Sequence, residues 1–283
     1  IGYRYSGMPR LREGNQLGGR ERAALVVGHP GHELKVFGWM AEYRPRVYCL
    51  TDGSGGSGQS RVPSTKQVIA AAGAREGELL PCASDAEIYR AILERDFAWF
   101  CGIADELAVA LVRHEIELVA GDAAEGFNPT HDLCRVLTNA AVRMAEGTTG
   151  AQIINLAFPL AENESAQPLQ HDDGCVHFKL DDAMLEAKLR AAQDYSEMQA
   201  EVERALAAAG REYFRLECLR EVAAFGLDEA NAPFYERCGE LRVREGKYAA
   251  AIRLREHVLP IAEDLTRHAA GRAAAAAAAS ARY

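Results

Sequence analysis

Apolar positions divide the first half of the chain into short runs and longer periodic stretches. Ala24 to Gly28 is a brief apolar, β-branched run closed by a turn signal, and Arg46 to Leu50 repeats it before Thr51-Asp52-Gly53. Runs of that length, bounded by glycine, read as buried parallel strands. Between them His32 to Tyr43 holds a helix with Leu34, Phe37, Trp39 and Met40 for packing, which makes a βαβ unit. Gly53 to Ser60 reads as a loop and Ser64 to Ala72 as a helix stopped by Gly73. From Asp85 to Glu115 the residues Leu93, Phe97, Phe100, Ala104, Leu107 and Leu111 recur at spacings of three and four, which predicts one long amphipathic helix capped by Ser84.

The alternation continues with a strand at Glu117 to Gly121, a helix at Asp132 to Ala145, a strand at Ile153 to Leu160 and a last strand at Cys175 to Leu180. This order predicts an α/β fold, a Rossmann-like doubly wound, mostly parallel sheet. Beyond it, Asp181 to Ala209, Arg211 to Phe225, Pro233 to Glu245 and Lys247 to His268 read as helices. The expected organisation is an α/β domain over 20–180, a helical C-terminal region over 181–270 packing on it, and a low-complexity tail over 271–283. Gly246 to Ala251 matches half of a tetratricopeptide-like repeat, but no second copy occurs at the required period.

Charge narrows the choice of partners. Asp and Glu number 41 against 32 Lys and Arg, a formal net charge of -9, which argues against a phosphate-backbone binder and so against nucleic acid. Seven cysteines without a Cys-x-x-Cys pair sit mostly inside apolar segments, as reduced thiols do in a cytosolic protein. No membrane span and no secretion signal is read from the sequence, so a cytoplasmic protein is expected, with homo-oligomerisation left open.

Ligands of open α/β sheets bind beyond the carboxyl ends of the strands. Three polar segments fall there: His29-Pro30-Gly31-His32-Glu33, Thr51-Asp52-Gly53-Ser54-Gly55-Gly56, and Glu125-Gly126-Phe127-Asn128-Pro129-Thr130-His131-Asp132. Imidazole suits zinc, and a catalytic zinc takes three protein ligands; His29, His32 and His131 supply that number. The alternative places His29 at a strand end and His32 on the surface of a helix. The glycine-rich loop lacks both the Gly-Lys-Ser/Thr of a phosphate cradle and a Gly-x-Gly-x-x-Gly opening the first helix, and reads as a substrate loop. His171 and His177 flank Asp172-Asp173 and either join a site or stand in solvent.

An apolar strand followed by His-Pro-x-x-Glu, then Leu-Thr-Asp-Gly, then a Glu-Gly-x-x-Pro-x-His loop resembles the PIG-L/LmbE-like zinc-dependent N-deacetylases. Lys188 to Tyr195 is a weaker match to the family's Lys-x-x-Ala helix. Members carry His-Pro-Asp-Asp-Glu at the first site, with the His and second Asp on zinc and the first Asp as base, and commonly His-Pro-Asp-His later. The resemblance therefore implies His29 and His131 as zinc ligands, with His32 in the carboxylate ligand's place. Gly31 then stands where the base should be, and Asn128 where an oxyanion-assisting His should be.

Loss of the base matters most, because general-base catalysis typically contributes about 10² to 10⁴ in rate. Glu33, Asp52 and Glu125 are the acidic residues near the strand ends that could replace it. Glu33 equally suits a helix first turn and Asp52 an Asx-turn. Asn128 keeps an amide donor for a carbonyl oxygen. Arg61 resembles the family's substrate-facing arginine, or is a solvated surface residue; Ser54 and Glu125 belong to the same loops. The expected function is a metal-dependent hydrolase that deacetylates an N-acyl amino sugar or small polar metabolite with zinc or another divalent metal. The alternative is a catalytically altered family member that binds or scaffolds.

Overall fold

The computed structural model describes residues 21–160, 175–222 and 232–280. Among the described residues, seven strands form one sheet: β1 (Ala23–Val27), β2 (Arg46–Cys49), β3 (Arg75–Glu76), β4 (Leu118–Asp122), β5 (Ile154–Phe158), β6 (Cys175–Lys179) and β7 (Leu216–Glu221). Their order is β3-β2-β1-β4-β5-β7-β6. The first five are parallel, β7 runs antiparallel to β5, and β6 antiparallel to β7. This is the α/β, mostly parallel sheet that the alternation predicts.

Helices cover both faces because the central strands are apolar on both. In β1, Ala24 and Val26 feed one apolar cluster while Ala23, Leu25 and Val27 feed another on the opposite face, as a period of two requires. The first cluster packs against α3 (Asp85–Glu94), α4 (Phe97–Arg113), α5 (Pro129–Thr149) and α9 (Leu259–Ser280). The second packs against α1 (Phe37–Tyr43), α2 (Val62–Ala71) and α6 (Asp182–Gln193). The other α-helices among the described residues are α7 (Gln199–Ala209) and α8 (Phe234–Arg244).

Several elements differ from the sequence reading. The single helix expected from Asp85 to Glu115 is two: Arg95 turns left-handed at φ 52°, and Asp96 accepts the amide of Trp99 to start α4. Apolar spacing alone hides such a break, because both segments present their stripes to the same core. Ser84 does cap α3, exchanging hydrogen bonds with Glu87 as a capping box. His32 to Val36 is a 3-10 turn that leads into the shorter α1.

The region after residue 180, read as almost entirely helical, contributes a strand. Arg211–Arg215 is a 3-10 turn, Leu216–Glu221 is β7, and β7 inserts between β5 and β6. Its pattern of Leu216, Cys218 and charged neighbours fits either period over so short a run. The expected helix ran on to Phe225, and Ala223 to Phe225 lie outside the described residues. Lys247 to Arg253 is not helical, and α9 runs through the alanine-rich stretch to Ser280. Ala281 to Tyr283 lie outside the described residues. Among the described residues, no helix is long and apolar enough to cross a membrane.

Candidate metal centre

β1 lies between β2 and β4, and the carboxyl ends of these three strands supply the polar segments. Chain direction beyond β1 is set by Gly31, which takes φ 105°, a conformation that favours glycine. The turn aims His29 and His32 into one place, and the first turn of α5 brings His131 to them. Ring centroids lie 5.4 Å apart for His29 and His32, 5.0 Å for His29 and His131, and 4.5 Å for His32 and His131. One nitrogen from each ring falls within 4.8 Å of the others.

Carboxylates back two of the rings. Asp122, fully buried at the end of β4, places Oδ2 2.8 Å from Nδ1 of His32 and accepts the Gly28 amide at 2.7 Å. A side chain at Gly28 would meet that carboxylate: its Cβ would stand 2.9 Å from Oδ2. Asp85 sets Oδ1 3.3 Å from Nε2 of His29, and its Oδ2 accepts the Gly55 amide at 2.6 Å. Nδ1 of His29 and Nδ1 of His131 are shielded from solvent without hydrogen-bond partners among the described residues. Buried orphan nitrogens beside carboxylate-oriented imidazoles are what a cation site built of histidines requires, so the donor set fits a divalent metal of the zinc type.

Burial and charge tune these groups consistently. Burial, reinforced by the neighbouring His32, pushes His131 down to about 2, and burial also lowers His29 against the raising effect of Asp85. Both are therefore neutral imidazoles at ordinary pH, the ligating form. Burial alone would raise the Asp122 carboxyl, but His32, His131 and the Gly28 amide together hold it below the usual range. Asp132 behaves oppositely: burial lifts it to about 7, although it accepts the amides of Glu125 and Gly126 and so braces the loop before α5.

The other residues singled out by the sequence occupy distinct places. Glu33 is fully buried, its Oε2 accepting the Gly31 amide at 2.8 Å while Oε1 has no hydrogen-bond partner among the described residues; burial raises its carboxyl. Asp52 forms an Asx-type turn with Ser54, accepting both its amide and its hydroxyl, and also accepts the amide of Asp85 at the start of α3. Asn128 caps α5 by accepting the Thr130 amide, which leaves its Nδ2 as a donor. Glu125 is exposed and accepts the amide of Leu160. Arg61 is half-buried where α2 begins, and its carbonyl accepts from the Tyr195 hydroxyl at 3.3 Å. Lys188 pairs with Glu217 at 2.9 Å beneath α1. His171, Asp172 and Asp173 lie outside the described residues.

Sequence reasoning missed Asp122, Asp85 and Met198. Asp122 carried a readable signal, an acid closing the apolar run Leu-Val-Ala-Gly-Asp at a strand's carboxyl end. Met198 carried none: from the turn before α7 its sulfur occupies the space that a side chain at Gly31 would enter. Beside the histidines, Phe127 stacks on His131 with centroids 6.4 Å apart and on Phe234 at 4.9 Å. Tyr89, Asn128, Tyr235 and Tyr248 join these two phenylalanines around a cavity of about 180 Å³.

No family model matches the chain, and no curated protein matches it. Solved structures do. A triple mutant of a deacetylase in the teicoplanin biosynthetic pathway is 15% identical, with 71% of this chain and 97% of that chain covered and a TM-score of 0.47. The zinc-inhibited form of teicoplanin deacetylase Orf2 is 14% identical, with 70% and 97% covered and a TM-score of 0.43. A deacetylase complex from the same pathway gives the same identity and coverage at a TM-score of 0.42.

Proposed function

We propose that the chain is a metal-dependent amide hydrolase that removes an acyl group from an amine, with His29, His32 and His131 holding the metal. The observation that carries the reading is the convergence of three imidazole nitrogens within 4.8 Å, two of the rings backed by carboxylates. The motif order, in which it resembles the PIG-L/LmbE-like deacetylases, supplies the reaction class. Zinc or another divalent cation held there supplies Lewis-acid polarisation of a carbonyl and an acidified water.

The chain's own residues take the other roles. Asp122 and Asp85 fix ring orientation, and Asn128 offers Nδ2 to a carbonyl oxygen. Glu33 takes the proton-accepting role: its Oε1 is unpartnered and burial moves its carboxyl upward toward ordinary pH. Asp52 sets the glycine loop, with Arg61, Ser54 and Glu125 as contacts to a small, sugar-like substrate. The flat faces of Phe127 and Phe234 suit the apolar side of a sugar or acyl group.

Metal content and turnover of an N-acetylated amino sugar, measured together, test this. The purified protein should hold one equivalent at this site, His131→Ala should lose it, and chelation should stop turnover. Glu33→Gln, which keeps an acceptor for the Gly31 amide, should retain metal while turnover falls at least about 10²-fold. Metal bound equally well by His131→Ala would end the reading. Met198 closing position 31 favours a second reading, a metal-holding binding protein without turnover. Chelator-sensitive release of acetate excludes it.

A further inference from the structure

The outer edge of the sheet carries a second group of metal-type donors, remote in sequence from the three histidines. In the antiparallel pairing of β6 and β7, His177 stands opposite Cys218 and Cys175 opposite Arg220. Residues two apart on a strand share a face, so Cys175, His177, Cys218 and Arg220 form one square of side chains. Their neighbours point the other way: Leu219 joins the apolar cluster beneath α1 and α6, and Glu217 accepts the amides of Gly38 and Trp39.

Three facts set this square apart from ordinary buried cysteines. Cys175 and Cys218 are 3% and 8% exposed, yet neither belongs to an apolar cluster of the core. Sγ of Cys175, Sγ of Cys218 and a ring nitrogen of His177 all lie within 4.8 Å of one another. Nε2 of His177 is shielded from solvent and has no hydrogen-bond partner among the described residues, which buried polar atoms rarely tolerate. Beside them Arg220 donates Nε–H to Sγ of Cys175 at 3.0 Å, the outer hydrogen bond that steadies a ligating thiolate.

We propose that Cys175, His177 and Cys218 form a second metal site, selective for a zinc-type or other soft cation. Two thiolates and a neutral imidazole are the soft donor set such ions prefer. The two thiolates cancel the charge of a divalent ion, so the ion can sit in this shielded place without a further counter-charge. The two thiol protons leave to solvent when the ion binds. The ion would add a side-chain clip between the edge strand β6 and β7, beside their backbone ladder and the Arg220–Cys175 hydrogen bond. It is independent of the three-histidine centre, which contains no sulfur ligand.

Sulfur makes the two sites separable by spectroscopy. Full-length protein, reduced and stripped with chelator, is titrated with Cd²⁺ or Co²⁺ while thiolate-to-metal charge-transfer absorption is followed. Wild type should take up two equivalents and develop the band. His131→Ala should lose one equivalent and keep the band, whereas Cys175→Ser and Cys218→Ser should each abolish the band and keep one equivalent. Thiol labelling of the wild-type protein, mapped by mass spectrometry, provides a readout that does not depend on the variants folding: metal should slow modification of Cys175 and Cys218 together at least tenfold. No band on loading the wild type, a band that survives both serine variants, or labelling of the two cysteines unchanged by metal would each overturn the proposal.

Discussion

The two donor clusters lie on one sheet and are assembled by opposite means. The three histidines come from segments about a hundred residues apart, meet where strands end, and depend on loop conformation: a left-handed glycine, a 3-10 turn and a capped helix. Two of those rings are then held by acids from still other elements. The Cys175, His177 and Cys218 square needs no loop, because strand register alone places its members. A loop-built site is open to substrate and must be braced by hydrogen bonds; a register-built site is braced by the sheet and presents little open surface. The first arrangement suits chemistry and the second suits holding.

If bracing by acids is what makes the loop-built site, removing the best-placed acid should have the largest effect. Asp122 is fully buried and serves both His32 and the Gly28 amide. Asp122→Asn keeps an oxygen that can accept from both but removes the negative charge behind the ring, so metal affinity at the histidine centre should fall toward 100-fold, about 2.7 kcal/mol. Competitive titration with a chromophoric chelator measures it. The charge-transfer band of the cysteine cluster should be unchanged. A parallel loss at both places would mean that the variant disturbs the sheet rather than one site, and the distinction between the two clusters would collapse.

The sheet was readable because each central strand announces itself as an apolar run ended by glycine or a polar turn, and the three polar segments were readable because they follow strand ends. What escaped depends on tertiary placement. The left-handed turn at Arg95 splits a helix whose apolar spacing continues unbroken across it. β7 lies among helices in sequence and pairs with strands distant along the chain. Asp85 looks like a first-turn helix residue, and only the packing of α3 beside β1 brings it to His29. Met198 has no polar group to attract notice, yet it decides what position 31 can hold.

That last point is testable by restoring a carboxylate where the family resemblance places one. Gly31→Asp must adopt a positive φ and share space with the Met198 sulfur, so unfolding free energy should drop by about 1–3 kcal/mol. Turnover should not rise. Adding Met198→Ala should return the steric share of the loss and leave the backbone share. Denaturant titrations of the two variants check this. A single variant as stable as wild type that also gains turnover would show that the histidine loop adapts as freely as a surface turn, and the claim that it is tightly braced would fail.

The smallest effect is expected at Asp85, and it grades the bracing. Its carboxylate lies 3.3 Å from His29 rather than the 2.8 Å between Asp122 and His32, and its side chain is 10% exposed where that of Asp122 is wholly buried. Longer distance and partial access to water both weaken a charge-assisted contact. Asp85→Asn should therefore cost about tenfold in metal affinity, the lower end for an outer partner of a ligating imidazole. The same carboxylate also accepts the Gly55 amide, so the glycine loop should loosen and raise KM for substrate more than it lowers kcat. Isothermal titration with metal and steady-state kinetics separate these two consequences. If Asp85→Asn weakened metal as much as Asp122→Asn, distance and burial would not be what ranks the two acids, and the contribution of each would have to lie in the charge it brings to the cluster.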